Sequence, residues 1–187
     1  MKPCMIDEAL SPLGQTRPDR GATSRRDILS SVVTAAAVTG AAAPALAQGT
    51  TSPNLRFINP STIAKPPGYT HVIEVTGPGR TVYIAGQTGR DATGKLAGAP
   101  GEFRAQATQA FENLKNALAA VDASFEHVVK LNNYLVDITA HFPIYREVRD
   151  KYVNKENPPA STTVQVGKLA RDDLLFEVEA IAILPPK

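Results

Sequence analysis

Cysteine is almost missing from this chain of 187 residues: a single one, Cys4, stands near its start. A lone thiol closes no internal disulfide, so folding rests on burial alone. Tryptophan is absent, and the three histidines, His71, His127 and His141, stand at neither i, i+4 nor H-x-H spacing. Such a scatter argues against a metal centre. Charge of one sign is lacking too, since from Pro53 to Lys187 the 15 Lys plus Arg and 14 Asp plus Glu leave a net +1 (15 − 14). A balance so close to zero gathers no polyanion, so nucleic acid is not an expected partner. No G-x-S-x-G elbow surrounds Ser161, which removes the usual serine-hydrolase reading.

The first residues carry a different kind of information. Ser24-Arg25-Arg26-Asp27 precedes a small-residue apolar run, Ser31 to Ala43, and then Ala45-Leu46-Ala47. A paired arginine, a moderately apolar stretch and an A-x-A site are the marks of a twin-arginine export signal. The run is too short and too rich in alanine and threonine to hold a helix across a bilayer. The expected organisation is an export signal and leader over 1–47, a flexible mature N-terminus over 48–56, and one domain over 57–187. Cleavage after Ala47 leaves a periplasmic or secreted protein without a membrane anchor.

Within the domain the hydrophobic period changes several times. His71 to Val75 and Thr81 to Gly86 are short β-rich runs around the turn cluster Thr76 to Arg80, which predicts a hairpin. Gln87 to Gly101 is glycine-rich and reads as a mobile loop. From Glu102 to Val121, Phe103, Ala107, Ala110, Phe111, Leu114 and Leu118 recur at three and four, the apolar face of a helix. Val128 to Val136 is β-rich again. Thr139 is the expected cap of a second helix, with Pro143 in its first turn and Phe142, Tyr145, Val148 and Tyr152 at helical spacing. Thr162 to Val166 and Leu174 to Leu184 close the chain as strands. The predicted order is β-β-α-β-α-β-β, an α+β mixed sheet with both helices on one face.

The last strand, LLFEVEAIAIL, sets the functional question. Strand alternation puts Phe176, Val178, Ala180, Ala182 and Leu184 on a wholly apolar face and Leu175, Glu177, Glu179, Ile181 and Ile183 on the other. The helices suit the first face. The second has nothing in this chain to cover it, and a row of aliphatic residues beside two carboxylates predicts a further subunit, most simply in a closed homo-oligomer. A carboxylate drawn into such a cleft has a raised pKa and can polarise a water. The alternative is that both acids are paired with basic residues of the neighbour. Lys130, Asn132 and Asn133 read as strand-edge or interface polarity.

These pieces in order, Tyr83-Ile84-Ala85-Gly86-Gln87, Ala110 to Lys115, Val128 to Asp137, Pro158-Pro159-Ala160 and Glu177 to Ala182, resemble the RidA/YjgF family, the reactive-intermediate deaminases also called endoribonuclease L-PSP-like proteins. The likeness runs from Phe57 to Leu184. It implies a chorismate-mutase-like fold, a homotrimer, and ligand clefts between subunits in which active members hydrolyse enamines and imines to 2-oxo acids and ammonia without a cofactor. It also implies roles: Glu177 falls on the family's water-orienting glutamate, Tyr69 on a cleft tyrosine, Gly86 at a close backbone approach, and Arg146 on a second-helix asparagine. Ala85 replaces the family's serine before Gly-Gln.

The departure of most consequence follows Pro159-Ala160, where active members carry an arginine that grips the substrate carboxylate and this chain has Ser161. A hydroxyl lacks the charged, bidentate grip of a guanidinium. Ser161 and Thr162 are candidates for shaping the site, and Arg146 for taking over the carboxylate contact. Two readings of function remain side by side: a small-molecule enzyme with Glu177 as its catalytic group, and a metabolite-binding or scavenging trimer without turnover. The family's endoribonuclease name adds RNA cleavage, which the balanced charge opposes.

Overall fold

The computed structural model describes residues 53–187. The expected export signal, and the loose stretch as far as residue 52, lie outside the described residues. The first strand is one the sequence pattern did not indicate: β1 spans Asn54–Ile58, so residues 54–56, read as part of a flexible N-terminus, are strand. It pairs antiparallel with β2, Val72–Thr76, in a two-stranded sheet. The predicted hairpin is thereby corrected, because β2 takes β1 as its partner and not the strand that follows it. The register explains the choice. Phe57 faces Ile73 and Leu55 faces Val75, while Arg56 lies opposite Glu74 and pairs with it, so apolar and charged cross-strand pairs both match.

The main sheet has four strands in the order β3-β6-β4-β5, with β3 at Arg80–Thr88, β4 at Val128–Leu135, β5 at Ala160–Gln165 and β6 at Phe176–Leu184. β6 runs antiparallel to both neighbours, and β4 and β5 are parallel. The fold is therefore a mixed α+β fold, as the sequence pattern indicated, with one strand more than predicted.

Helix α1, Phe103–Ala119, packs over β3 and β6, and α2, Ile138–Arg149, packs over β4 and against α1. Both cover the face carrying Phe176, Val178 and Ala180, which are buried. Phe176 is the centre of that layer, with Phe103, Phe111 and Tyr145 each within 6 Å between ring centroids. Burying one such ring is worth about 1.5–3 kcal/mol.

Two local details differ from the sequence pattern. The cap of α2 is Asp137, whose carboxylate accepts from Ala140 N at 2.9 Å, and not Thr139; a charged acceptor at the positive helix end outcompetes a hydroxyl two residues on. Pro143 thus lies past the first turn. The stretch after β3, read as a mobile loop, contains a hydrogen-bonded turn. Asp91 Oδ1 accepts from the backbone of Thr93 and Lys95, and the Thr93 hydroxyl beside it helps hold that carboxyl below its usual range. Arg90 reaches across to Asp173.

Candidate functional site

The alternation of β5 divides the candidate residues between the two faces of the main sheet. Ser161 and Thr163 lie opposite Leu131 and Asn133 of β4, on the helix side, whereas Thr162 lies opposite Asn132 on the open side. On the helix side a cavity of about 560 Å³ opens between β5, the start of α2 and the loop before β2. Tyr69, Arg146 and Ser161 line it, so three of the sequence candidates meet there. Thr162 is not among its walls; its hydroxyl accepts from Lys130 Nζ at 2.7 Å on the other face.

The loop is held in place by its neighbours. Thr70 is 2% exposed, and its hydroxyl donates to Pro158 O at 2.6 Å while its N–H donates to Pro159 O at 3.3 Å. Those bonds tie Tyr69 to the entrance of β5. Arg146 Nη2 donates to Pro67 O at 3.0 Å. Gly68, at φ +100°, lies so near both guanidiniums that a Cβ there would come within 2.8 Å of Arg149 Nη2 and 3.8 Å of Arg146 Nη2. Only a residue without a side chain serves at that point.

Arg149, which the sequence reading did not single out, is the second guanidinium of the cavity. It is 5% exposed, lies 5.6 Å from the centre of the Tyr145 ring and donates through Nε and Nη2 to Asp150 Oδ1. Its spacing of three from Arg146 puts both on one helix flank, and that spacing is legible in the sequence. Arg146 has no carboxylate partner among the described residues.

Asn133, read from the sequence as strand-edge or interface polarity, instead lies on a central strand. It is fully buried, and its Nδ2 lies 3.1 Å from Ser161 Oγ, 3.0 Å from Thr162 O and 3.3 Å from Thr163 Oγ1. Because the amide donates toward both hydroxyl oxygens, the Ser161 and Thr163 hydrogens are left to point elsewhere. The cavity wall thus offers hydroxyl donors from β5 and guanidinium donors from α2, with no carboxylate among its lining. The signal was an asparagine on a strand face otherwise made of Leu131 and Leu135.

Glu177 and Gly86 occupy the opposite face. A bulge in β3 between Ile84 and Gln87 brings Gly86 against the Glu177 side chain, and a Cβ on Gly86 would fall 1.8 Å from Glu177 Oε1. What Gly86 admits in this chain is therefore the carboxylate itself. The two acids of β6 differ in their partners. Glu179 Oε1 accepts from Asn132 Nδ2 at 2.7 Å and from the Tyr134 hydroxyl at 3.1 Å. Glu177 has no hydrogen-bond partner among the described residues, and burial, reinforced by the negative Glu179 beside it, holds its carboxyl above the usual range. Burial, with help from the bond to Glu179, raises Tyr134 as well. The same face leaves Tyr83 78% exposed and Val164 40% exposed.

The two-helix mixed fold agrees with the comparisons to known proteins. The family model described as endoribonuclease L-PSP matches residues 61–184.

The chain belongs to the endoribonuclease L-PSP, or RidA, family.

Among its relatives in the L-PSP family, protein DfrA of Myxococcus xanthus is 36% identical over 116 residues, covering 62% of this chain and 84% of that protein. The 2-iminobutanoate/2-iminopropanoate deaminase of Rattus norvegicus is 37% identical over 108 residues, covering 57% of this chain and 75% of the relative. Among solved structures, the conserved Rid family protein YyfB of Yersinia pestis, of unknown function, superposes with a TM-score of 0.62 at 34% identity, covering 69% of this chain and 98% of that one. The L-PSP match begins after β1 and contains every candidate site residue from Tyr69 to Glu177.

Proposed function

We propose that this protein binds 2-imino acids and their enamine tautomers through their carboxylate and hydrolyses them to 2-oxo acids and ammonia, as the activity of its deaminase relatives suggests. The observation that carries the reading is the cavity wall of Arg146, Ser161 and Thr163, which presents donors and no carboxylate. A guanidinium supplied from α2 compensates for the missing arginine after Pro159-Ala160, and a charge-assisted contact of that kind is worth about 1.5–3 kcal/mol. The reaction adds water across the C=N bond to give a carbinolamine, which then expels ammonia as its hydroxyl becomes the carbonyl. Glu177 is the group suited to take the proton from the water and return it to the departing nitrogen, because a carboxyl raised toward neutrality is a better proton shuttle.

The two halves of this chemistry lie on opposite faces of one chain's sheet. We therefore place the reaction between copies, in a homotrimer of the chorismate-mutase-like kind that the family resemblance implies, where the open face with Glu177, Tyr83 and Val164 is covered. Export through the twin-arginine route puts the trimer in the periplasm or outside the cell. The test couples an amino-acid oxidase to the protein and follows imine decay in wild type, Glu177→Ala, Arg146→Ala and Ser161→Arg. Imine decay at the uncatalysed rate in wild type overturns the enzyme. Activity that appears only in Ser161→Arg favours a second reading, metabolite binding without turnover, for which the separation of Glu177 from the cavity in a single chain speaks.

A further inference from the structure

The cavity has more wall than a carboxylate needs. Ile138, Phe142 and Pro143 of α2 face Pro67 and Tyr69 of the loop, giving it an apolar side beside its polar one. Its volume of about 560 Å³ falls among pockets that enclose drug-sized ligands, roughly 300–1,000 Å³, and leaves a three- or four-carbon acid mostly unsupported. Phe142 is 37% exposed, although Tyr145, whose ring centroid is 5.9 Å away, is fully buried. A large aromatic ring kept at a cavity wall gains by being covered.

Charge sets a second limit. Asp150 already answers Arg149, so of the cavity's two arginines Arg146 is the one without a carboxylate among the described residues. One ligand carboxylate neutralises the site. A second would enter a half-buried, apolar space without a counter-charge.

We propose that the cavity selects 2-imino acids, and their 2-oxo products, that carry one carboxylate and a large apolar side chain, above all an aromatic one, with Phe142 as the specificity-determining residue. The inference rests on the reading of Arg146 as the carboxylate anchor. The ligand carboxylate meets Arg146 and the β5 hydroxyls, and its side chain lies along Phe142 and Ile138.

Calorimetric titration of the whole purified protein with phenylpyruvate, 2-oxobutyrate and 2-oxoglutarate separates the outcomes. Phenylpyruvate is expected to bind on the order of ten- to a hundredfold tighter than 2-oxobutyrate, the discrimination a snug apolar wall supplies. Phe142→Ala should narrow that ratio by weakening phenylpyruvate most, and Phe142→Leu should fall between, each checked for folding by its melting curve. Equal binding of phenylpyruvate and 2-oxobutyrate that is lost in Arg146→Ala overturns the selection for bulk and leaves the carboxylate reading standing. Tighter binding of 2-oxoglutarate than of phenylpyruvate overturns the single-charge argument. A ratio unmoved in both Phe142 variants overturns the role of that residue, and no binding of any of the three overturns both readings.

Discussion

The two faces of the main sheet are built from the same strands yet have opposite chemistry. The helix side of β5 faces a cavity with two arginines and oriented hydroxyls, while the far side of β6 holds Glu177 and Glu179. The difference comes from strand alternation alone: Ser161 and Thr163 go one way, Thr162 the other, and Glu177 lies back to back with Val178 and Phe176. Within a single chain the sheet keeps the donor-lined wall and the acid apart. Asp150 is not among the cavity lining and pairs with Arg149.

Breaking the acid side should have the largest effect. Glu177→Ala is expected to lower imine hydrolysis on the order of a hundred- to ten-thousandfold, the usual worth of a positioned acid–base group. Binding of 2-oxo acids should persist, as titration beside the rate assay would record; equal loss of both would erase the division between the faces. On the cavity side, Arg146→Ala should weaken 2-oxo acid binding about ten- to a hundredfold, the value of one charge-assisted contact, and a Lys in its place should recover part of that.

Gly86→Ala tests how tightly the acid is seated. The new methyl group meets the flexible end of Glu177, so the protein should fold with a melting temperature near that of wild type while turnover falls about tenfold, as small misplacements of reacting groups do. The smallest effect is expected from Glu177→Gln on stability. A carboxyl whose pKa is raised in the folded state lends stability that is full below the unfolded value and lost as pH rises through the folded one. Wild type should therefore melt slightly lower at neutral pH than the glutamine variant, by no more than about a degree or two because solvent screens so exposed a group, and the gap should close below about pH 4, the ordinary glutamate range. Wild type melting higher than the glutamine variant at neutral pH would instead place a hidden cation beside Glu177.

Much of this architecture was legible in the residues. The face that the helices cover follows from the alternation in LLFEVEAIAIL, and α1 from its apolar spacing. The glutamates announced themselves as acids in an apolar strand. By the same logic Asn133, between Leu131 and Leu135, carried a signal that went unused. Two things were out of reach of local pattern. The partner of β2 was decided by Phe57 and Leu55, whose cross-strand fit with Ile73 and Val75 outweighs the nearness of β3. The burial of Arg149 depends on a loop some 80 residues upstream folding onto it at Gly68, a contact between distant segments that no window of sequence contains.

The alternation of Ser161, Thr162 and Thr163 has a consequence for how this protein can change over generations. Gain of one codon directly after that of Ala160 would turn the strand inside out, sending Thr162 toward the guanidiniums and Ser161 and Thr163 away. Descendants are thus free to exchange these residues singly and adjust what they bind, but not to lengthen or shorten the stretch.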